Sequence, residues 1–131
     1  MKPRGLIWLL VVAALFLLPF LAQAQELQVH DAAIATFIED RMPQGVGETF
    51  PADVGKLYAF TRIVGAEAET TVTHKWYHGD QLMAEITLPV RSNNWRTWSS
   101  KNIWQGWTGQ WRVDVVGPDG TVLKSITFTI Q

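Results

Sequence analysis

Thr70-Thr71-Val72-Thr73-His74-Lys75-Trp76-Tyr77-His78-Gly79-Asp80-Gln81-Leu82-Met83-Ala84-Glu85-Ile86-Thr87-Leu88-Pro89 reads as two extended segments joined by a two-residue turn. The first is β-branched at Thr70, Thr71, Val72 and Thr73, side chains that suit a pleated, half-buried surface. Gly79-Asp80 closes a tight hairpin. In the second segment Leu82, Ala84, Ile86 and Leu88 share one face, and Met83, Glu85 and Thr87 share the other. That period of two predicts a strand with one wet face.

The flanks repeat the pattern. Residues 56–64 are apolar on both faces, as a central strand requires, and residues 65–69 form an acidic turn. Arg91-Ser92-Asn93-Asn94 is a polar turn leading into residues 95–101. In 110–116, Trp111, Val113 and Val115 face inward, with Arg112 and Asp114 outward. Gly117-Pro118-Asp119-Gly120 is a strong turn signal before a last strand over 121–130. There Val122, Lys124, Ile126, Phe128 and Ile130 fall on one face. Residues 27–38 read as the first strand, with a short helix as the alternative because Ala32, Ala33 and Ala35 favour helix. Residues 41–54, with Pro43, Gly45, Gly47 and Pro51, predict one long loop. Short strands with Gly/Pro turns predict an all-β fold, an immunoglobulin-like (fibronectin-like) β-sandwich of about seven strands.

Composition sets the compartment and narrows the partners. Met1-Lys2-Pro3-Arg4-Gly5 is a short basic start, followed by an apolar run over residues 6–21 and then Ala22-Gln23-Ala24. This is the pattern of a signal peptide over 1–24, cleaved after Ala24, which makes the domain periplasmic or secreted. An uncleaved anchor is the alternative, and the only membrane contact expected. Residues 25–131 suffice for one domain. The chain has no cysteine, so its stability has to come from a packed core. Without Lys2 and Arg4, the 11 basic residues fall to nine against 12 acidic ones. A mildly acidic domain without a basic stripe argues against nucleic acid as a partner.

Of the 7 tryptophans, Trp95, Trp98, Trp104, Trp107 and Trp111 crowd into one short region. If residues 95–101 are extended, Trp95, Thr97, Ser99 and Lys101 point one way and Arg96, Trp98 and Ser100 the other. So many indoles are hard to bury in one small domain. Trp104 and Trp107 flank Gln105-Gly106, which reads as a loop tip. Exposed aromatics beside Arg and Ser suit stacking on sugar rings or gripping a protein loop. The expected ligand-binding set is therefore Arg96, Trp98, Ser99, Lys101, Trp104 and Trp107, supported by His74, Trp76, Trp111 and Arg112.

Four blocks carry a resemblance: 58–62 (Tyr-Ala-Phe-Thr-Arg), 73–77 (Thr-His-Lys-Trp-Tyr), 95–101 (Trp-Arg-Thr-Trp-Ser-Ser-Lys) and 109–113 (Gly-Gln-Trp-Arg-Val). In this order they resemble the bacterial domain-of-unknown-function family 2914, from about Val29 to the C-terminus. The resemblance implies a small β-rich domain, often beside a membrane segment or signal peptide. It brings no catalytic residue with it.

Chemistry finds little purchase. His74 and His78 are four apart on one strand, roughly 13 Å, too far to chelate one ion; no metal or cofactor is expected. Ser99 or Ser100 with His74 and an acid could be written as a triad, but no nucleophile elbow holds either serine. His74 reads instead as a hydrogen-bonded core or boundary histidine beside a buried Trp76. The function expected is a non-catalytic exported binding module for an envelope glycan or envelope protein. The alternatives are a structural accessory domain docking a membrane protein and, last, a hydrolase.

Overall fold

The computed structural model describes residues 26–131, so the leader expected over 1–24 lies outside the described residues. Within them the chain is all β, in ten strands: β1 (Gln28–Ala35), β2 (Phe37–Glu39), β3 (Met42–Gln44), β4 (Thr49–Phe50), β5 (Lys56–Val64), β6 (Thr70–His78), β7 (Gln81–Val90), β8 (Asn94–Asn102), β9 (Gly109–Val116) and β10 (Val122–Ile130). One sheet has the order β1-β5-β8 and a second β4-β10-β9-β6-β7, while β2 and β3 make a separate ribbon. Two apolar faces pack together between the sheets. No helix forms over residues 27–38; a bulge at His30 shifts the pairing of β1 with β5 instead.

The long loop expected over 41–54 is shorter and more structured. Asp40 and Arg41 both take positive φ, 52° and 63°, and turn the chain tightly from β2 into β3. Two consecutive positive φ values are the signature of the type I′ hairpin turn, whose twist matches the flanking strands. The ribbon packs on β1 and β5, and Phe60 beneath it is buried. Further on, Thr49–Phe50 pairs in parallel with the end of β10. Phe50 is drawn inward by an edge-to-face contact with Phe128, ring centroids 6.2 Å apart.

The alternation of β7 holds from Ala84 onward and breaks before it. Trp76 pairs with Ala84 but Tyr77 pairs with Leu82, leaving Met83 as an unpaired bulge residue. One extra residue reverses parity, so Leu82 turns outward at 46% exposure instead of joining Ala84, Ile86 and Leu88. A second bulge at Leu123 does the same to β10. Val122 is exposed there, while Leu123 packs against the core.

The core is layered along the strands. One cluster contains Leu57, Ala59, Trp76, Trp111, Val113 and Phe128. Another contains Ile63, Ala66, Val72, Val90 and Val115. Thr61 lies between Ala59 and Ile63, and His74 between Val72 and Trp76, each facing inward. The two apolar clusters are therefore separated by a polar layer of Thr61, His74, Thr97 and Ser99, all buried.

Candidate functional site

That polar layer is wired in one direction. Thr61 Oγ1 donates to the Thr97 carbonyl (3.0 Å), so it can only accept from His74 Nε2 (3.2 Å). His74 Nε2 thus carries the proton, and Nδ1 accepts from Ser99 Oγ at 2.7 Å. Ser99 Oγ in turn accepts from Trp76 Nε1–H at 3.1 Å. The chain runs Trp76 to Ser99 to His74 to Thr61 to the Thr97 carbonyl. His74 has no exposed surface, and burial pulls its imidazole down to about 4 from 6.5, so it is neutral. Among the described residues no buried side-chain nitrogen or oxygen lacks a hydrogen-bond partner.

Ser99 and His74 thus touch as a nucleophile touches its base, but Thr61 stands where a triad has its acid. Both are buried between the sheets. Ser99, at 5% exposure, leaves the surface set because it shares the inward parity of Thr97. Trp76 and Trp111 lie in the core. Arg112 is on the far face of the other sheet, over the Tyr77 ring at 4.4 Å, with its Nε donating to Asp114 at 2.9 Å. It supports nothing in the tryptophan region.

The remaining positions divide between two places. Arg96 and Trp98 face outward on β8, where Trp98 stacks on Phe60. Lys101, Trp104 and Trp107 gather at one end of the sandwich. Lys101 shares the inward parity and stands beside Leu57, and its Nζ lies 5.0 Å from the centre of the Trp107 ring. Trp107 N–H donates to the Trp104 carbonyl (2.9 Å), tightening the loop so that the two indoles stack at 5.8 Å with 24° between planes. Trp111 Nε1–H donates to the Trp107 carbonyl at 3.0 Å, tying the loop to the core. His78, which the sequence weighed only as a metal ligand, stacks on Trp111 at 4.7 Å and hydrogen-bonds the Thr108 carbonyl at 2.7 Å. The series Trp104, Trp107, Trp111 passes from 70% exposed through half-buried to 2%. One face of Trp104 rests on Trp107 and the other is open.

The family model of DUF2914, a protein of unknown function, matches residues 69–130. Over these residues the chain is similar to this family. The DUF2914 segment takes in β6 through β10, and with them the tryptophan loop, Ser99 and His74. It is narrower than the resemblance suggested, since the block at residues 58–62 on β5 falls outside it. DUF2914 carries no assigned activity to bring to these positions. No curated protein matches the chain.

Proposed function

We propose that this protein is an exported, non-catalytic binding module, an immunoglobulin-like (fibronectin-like) sandwich that holds a cell-envelope glycan at its tryptophan end. The basic start, the apolar run over 6–21 and Ala22-Gln23-Ala24 support export and cleavage. The fold reading is supported by chain crossings between sheets at β5–β6, β7–β8 and β8–β9, and by hairpins β6–β7 and β9–β10 within one sheet. A buried tryptophan in the middle of such a sheet, here Trp76, is a feature of these sandwiches.

The observation that carries the binding reading is Trp104. An indole buries roughly 150–250 Å² when packed, so leaving one exposed forgoes stabilisation. Here it is held rigidly on Trp107 rather than left loose, so a sugar ring stacking on its open face meets a preorganised surface. Lys101 adds a cation beside it for hydroxyls or carboxylates. The test is tryptophan fluorescence of the purified protein, titrated with peptidoglycan fragments and envelope polysaccharides, beside a Trp104→Ala variant of unchanged fold. A saturable shift that the variant loses supports the reading. If no glycan moves the emission, the tryptophan end is not a sugar site.

One feature favours an envelope protein instead. Phe37 and Met42, both exposed, lie on one face of the β2–β3 ribbon two positions apart in its register. A partner whose capture is lost in Phe37→Ser but kept in Trp104→Ala would move the function to that ribbon.

A further inference from the structure

The outer face of the three-stranded sheet is ordered into cross-strand rows. Ala33, Phe60 and Trp98 make one, and Asp31, Arg62 and Arg96 the next. In the second row two guanidinium groups stand directly opposite each other, with Cβ atoms roughly 5 Å apart in such a pair, and like charges so placed are destabilising. Arg62 is partly compensated by Asp31 Oδ2 at 3.5 Å and by Asn94 Oδ1 at 2.8 Å. Asp31 itself is held below the usual carboxylate range by its His30 hydrogen bond and then by Arg62. Arg96 is half-buried and has no acid, hydrogen-bond or ring partner among the described residues.

Arg96 also separates two cavities. One, about 310 Å³, lies between the β2–β3 ribbon and the sheet, with Met42, Pro43 and Phe60 as its apolar lining and Arg62 and Arg96 in its wall. The other, about 410 Å³, is lined by Arg41, Arg91, Trp95 and Trp98 besides Arg96. Four of the five arginines among residues 26–131 thus converge here, in a domain whose acids outnumber its bases. Asp31 is the one acid among the residues lining either cavity. Further acids stand behind the outermost arginines: Asp40 is next to Arg41, while Glu69 shares a third cavity with Arg91. No acid stands between Arg62 and Arg96.

We propose that this groove is a binding site for a small organic oxyanion, a carboxylate or phosphate carried on a ring or short apolar body. The oxyanion is clasped between Arg62 and Arg96, and the body lies against Phe60 and Met42. Guanidinium forks suit both anions because they offer paired donors in a plane. A bound anion also offsets the repulsion within the Arg62–Arg96 pair. The volume of the first cavity fits one ring-sized ligand. This site is separate from the tryptophan end and does not depend on the glycan reading of Trp104.

Amide NMR and calorimetric titration of the purified protein with glucuronate, glucose 6-phosphate and neutral glucose test it. The expected result is a saturable shift at Phe60, Arg96 and Trp98 with one or both anions, weakening with salt, and none with glucose. The anion that binds distinguishes carboxylate from phosphate. Arg96→Gln should weaken binding by about tenfold or more, the weight of a charge-assisted hydrogen bond. Arg96→Lys, which keeps the charge but loses the fork, should recover little. Trp104→Ala should bind as the wild type. The unliganded Arg96→Gln variant should melt no lower than the wild type, because a repulsion has been removed. The proposal is overturned if neither anion shifts these amides or if glucose shifts them equally. Arg96→Gln binding normally, or melting several degrees lower without ligand, would also overturn it.

Discussion

Ser99 and Ser100 are neighbours of identical chemistry, and the sandwich assigns them opposite energetic weight. Replacing Ser99 by alanine removes the one acceptor of Trp76 Nε1–H and the one donor to His74 Nδ1, both inside the core. An orphaned buried polar group costs roughly 1–3 kcal/mol, so the two together should cost about 2–6 kcal/mol. Against a total stability on the order of 5–15 kcal/mol, that is a large share. For a domain of this size the melting temperature should fall by about 10 °C or more. Ser100→Ala, on the exposed face, should stay within about 0.5 kcal/mol. Urea and thermal unfolding at pH 7, followed by circular dichroism, give both numbers. The two losses at Ser99 are also coupled through His74, so adding His74→Leu to Ser99→Ala should cost less than His74→Leu alone. A Ser99→Ala variant that loses under 1 kcal/mol, or no more than Ser100→Ala, would refute the directed chain.

The same network sets a pH dependence: His74 is depressed to about 4 when folded and returns to 6.5 when unfolded, so between these values the unfolded chain binds the extra proton. Stability from this group is complete above pH 6.5 and is lost as pH falls towards 4, a total of about 3 kcal/mol that denaturation at stepped pH should recover and that His74→Gln should flatten. Trp111→Phe removes the hydrogen bond to the Trp107 carbonyl. It should speed amide exchange across residues 103–108 and make Trp104 more accessible to quencher, with a stability loss of about 1–3 kcal/mol. Gly65 has φ of +93°, and an added Cβ would meet the Glu26 carbonyl oxygen at 2.5 Å. Gly65→Ala should therefore destabilise by more than about 1 kcal/mol in thermal unfolding, and equal or higher stability would contradict that geometry.

What could be read from the sequence followed local rules, and what could not was decided by distant partners. β5, β6, β9 and most of β7 announce themselves through alternation and Gly/Pro turns, and their limits fall within a residue of expectation. The β2–β3 turn escaped because Asp40-Arg41 lacks the glycine that marks a type I′ hairpin; packing of the ribbon on β1 and β5 selects it. Leu82 was misplaced because a bulge has no sequence signature when Met83 is as apolar as its neighbours. The alternation of residues 95–101 was legible, but which face was the inner one was not. Two serines and a threonine in this run gave no sign that Ser99 answers both a histidine and an indole on the opposite sheet. The tryptophans look like one cluster in the sequence. In space Trp98, Trp104 and Trp111 occupy an outer face, a loop tip and the core.

The strands also give the domain two poles. Glu26 enters beside Gly65, where Gln28 pairs with Val64 and the Gly65 amide meets Asn93. The tryptophan loop leaves from the other end, where Lys56 pairs with Asn102 and Ile130 with Gly109. Nine residues of β5 connect them, a span of roughly 27 Å at 3.3 Å per residue. Whatever is attached ahead of Glu26 and whatever rests on Trp104 are thus held a full domain length apart on a stiff β scaffold. Under the proposed reading the sandwich would serve as a spacer as well as a binding surface, with the indoles facing away from the end at which Glu26 enters.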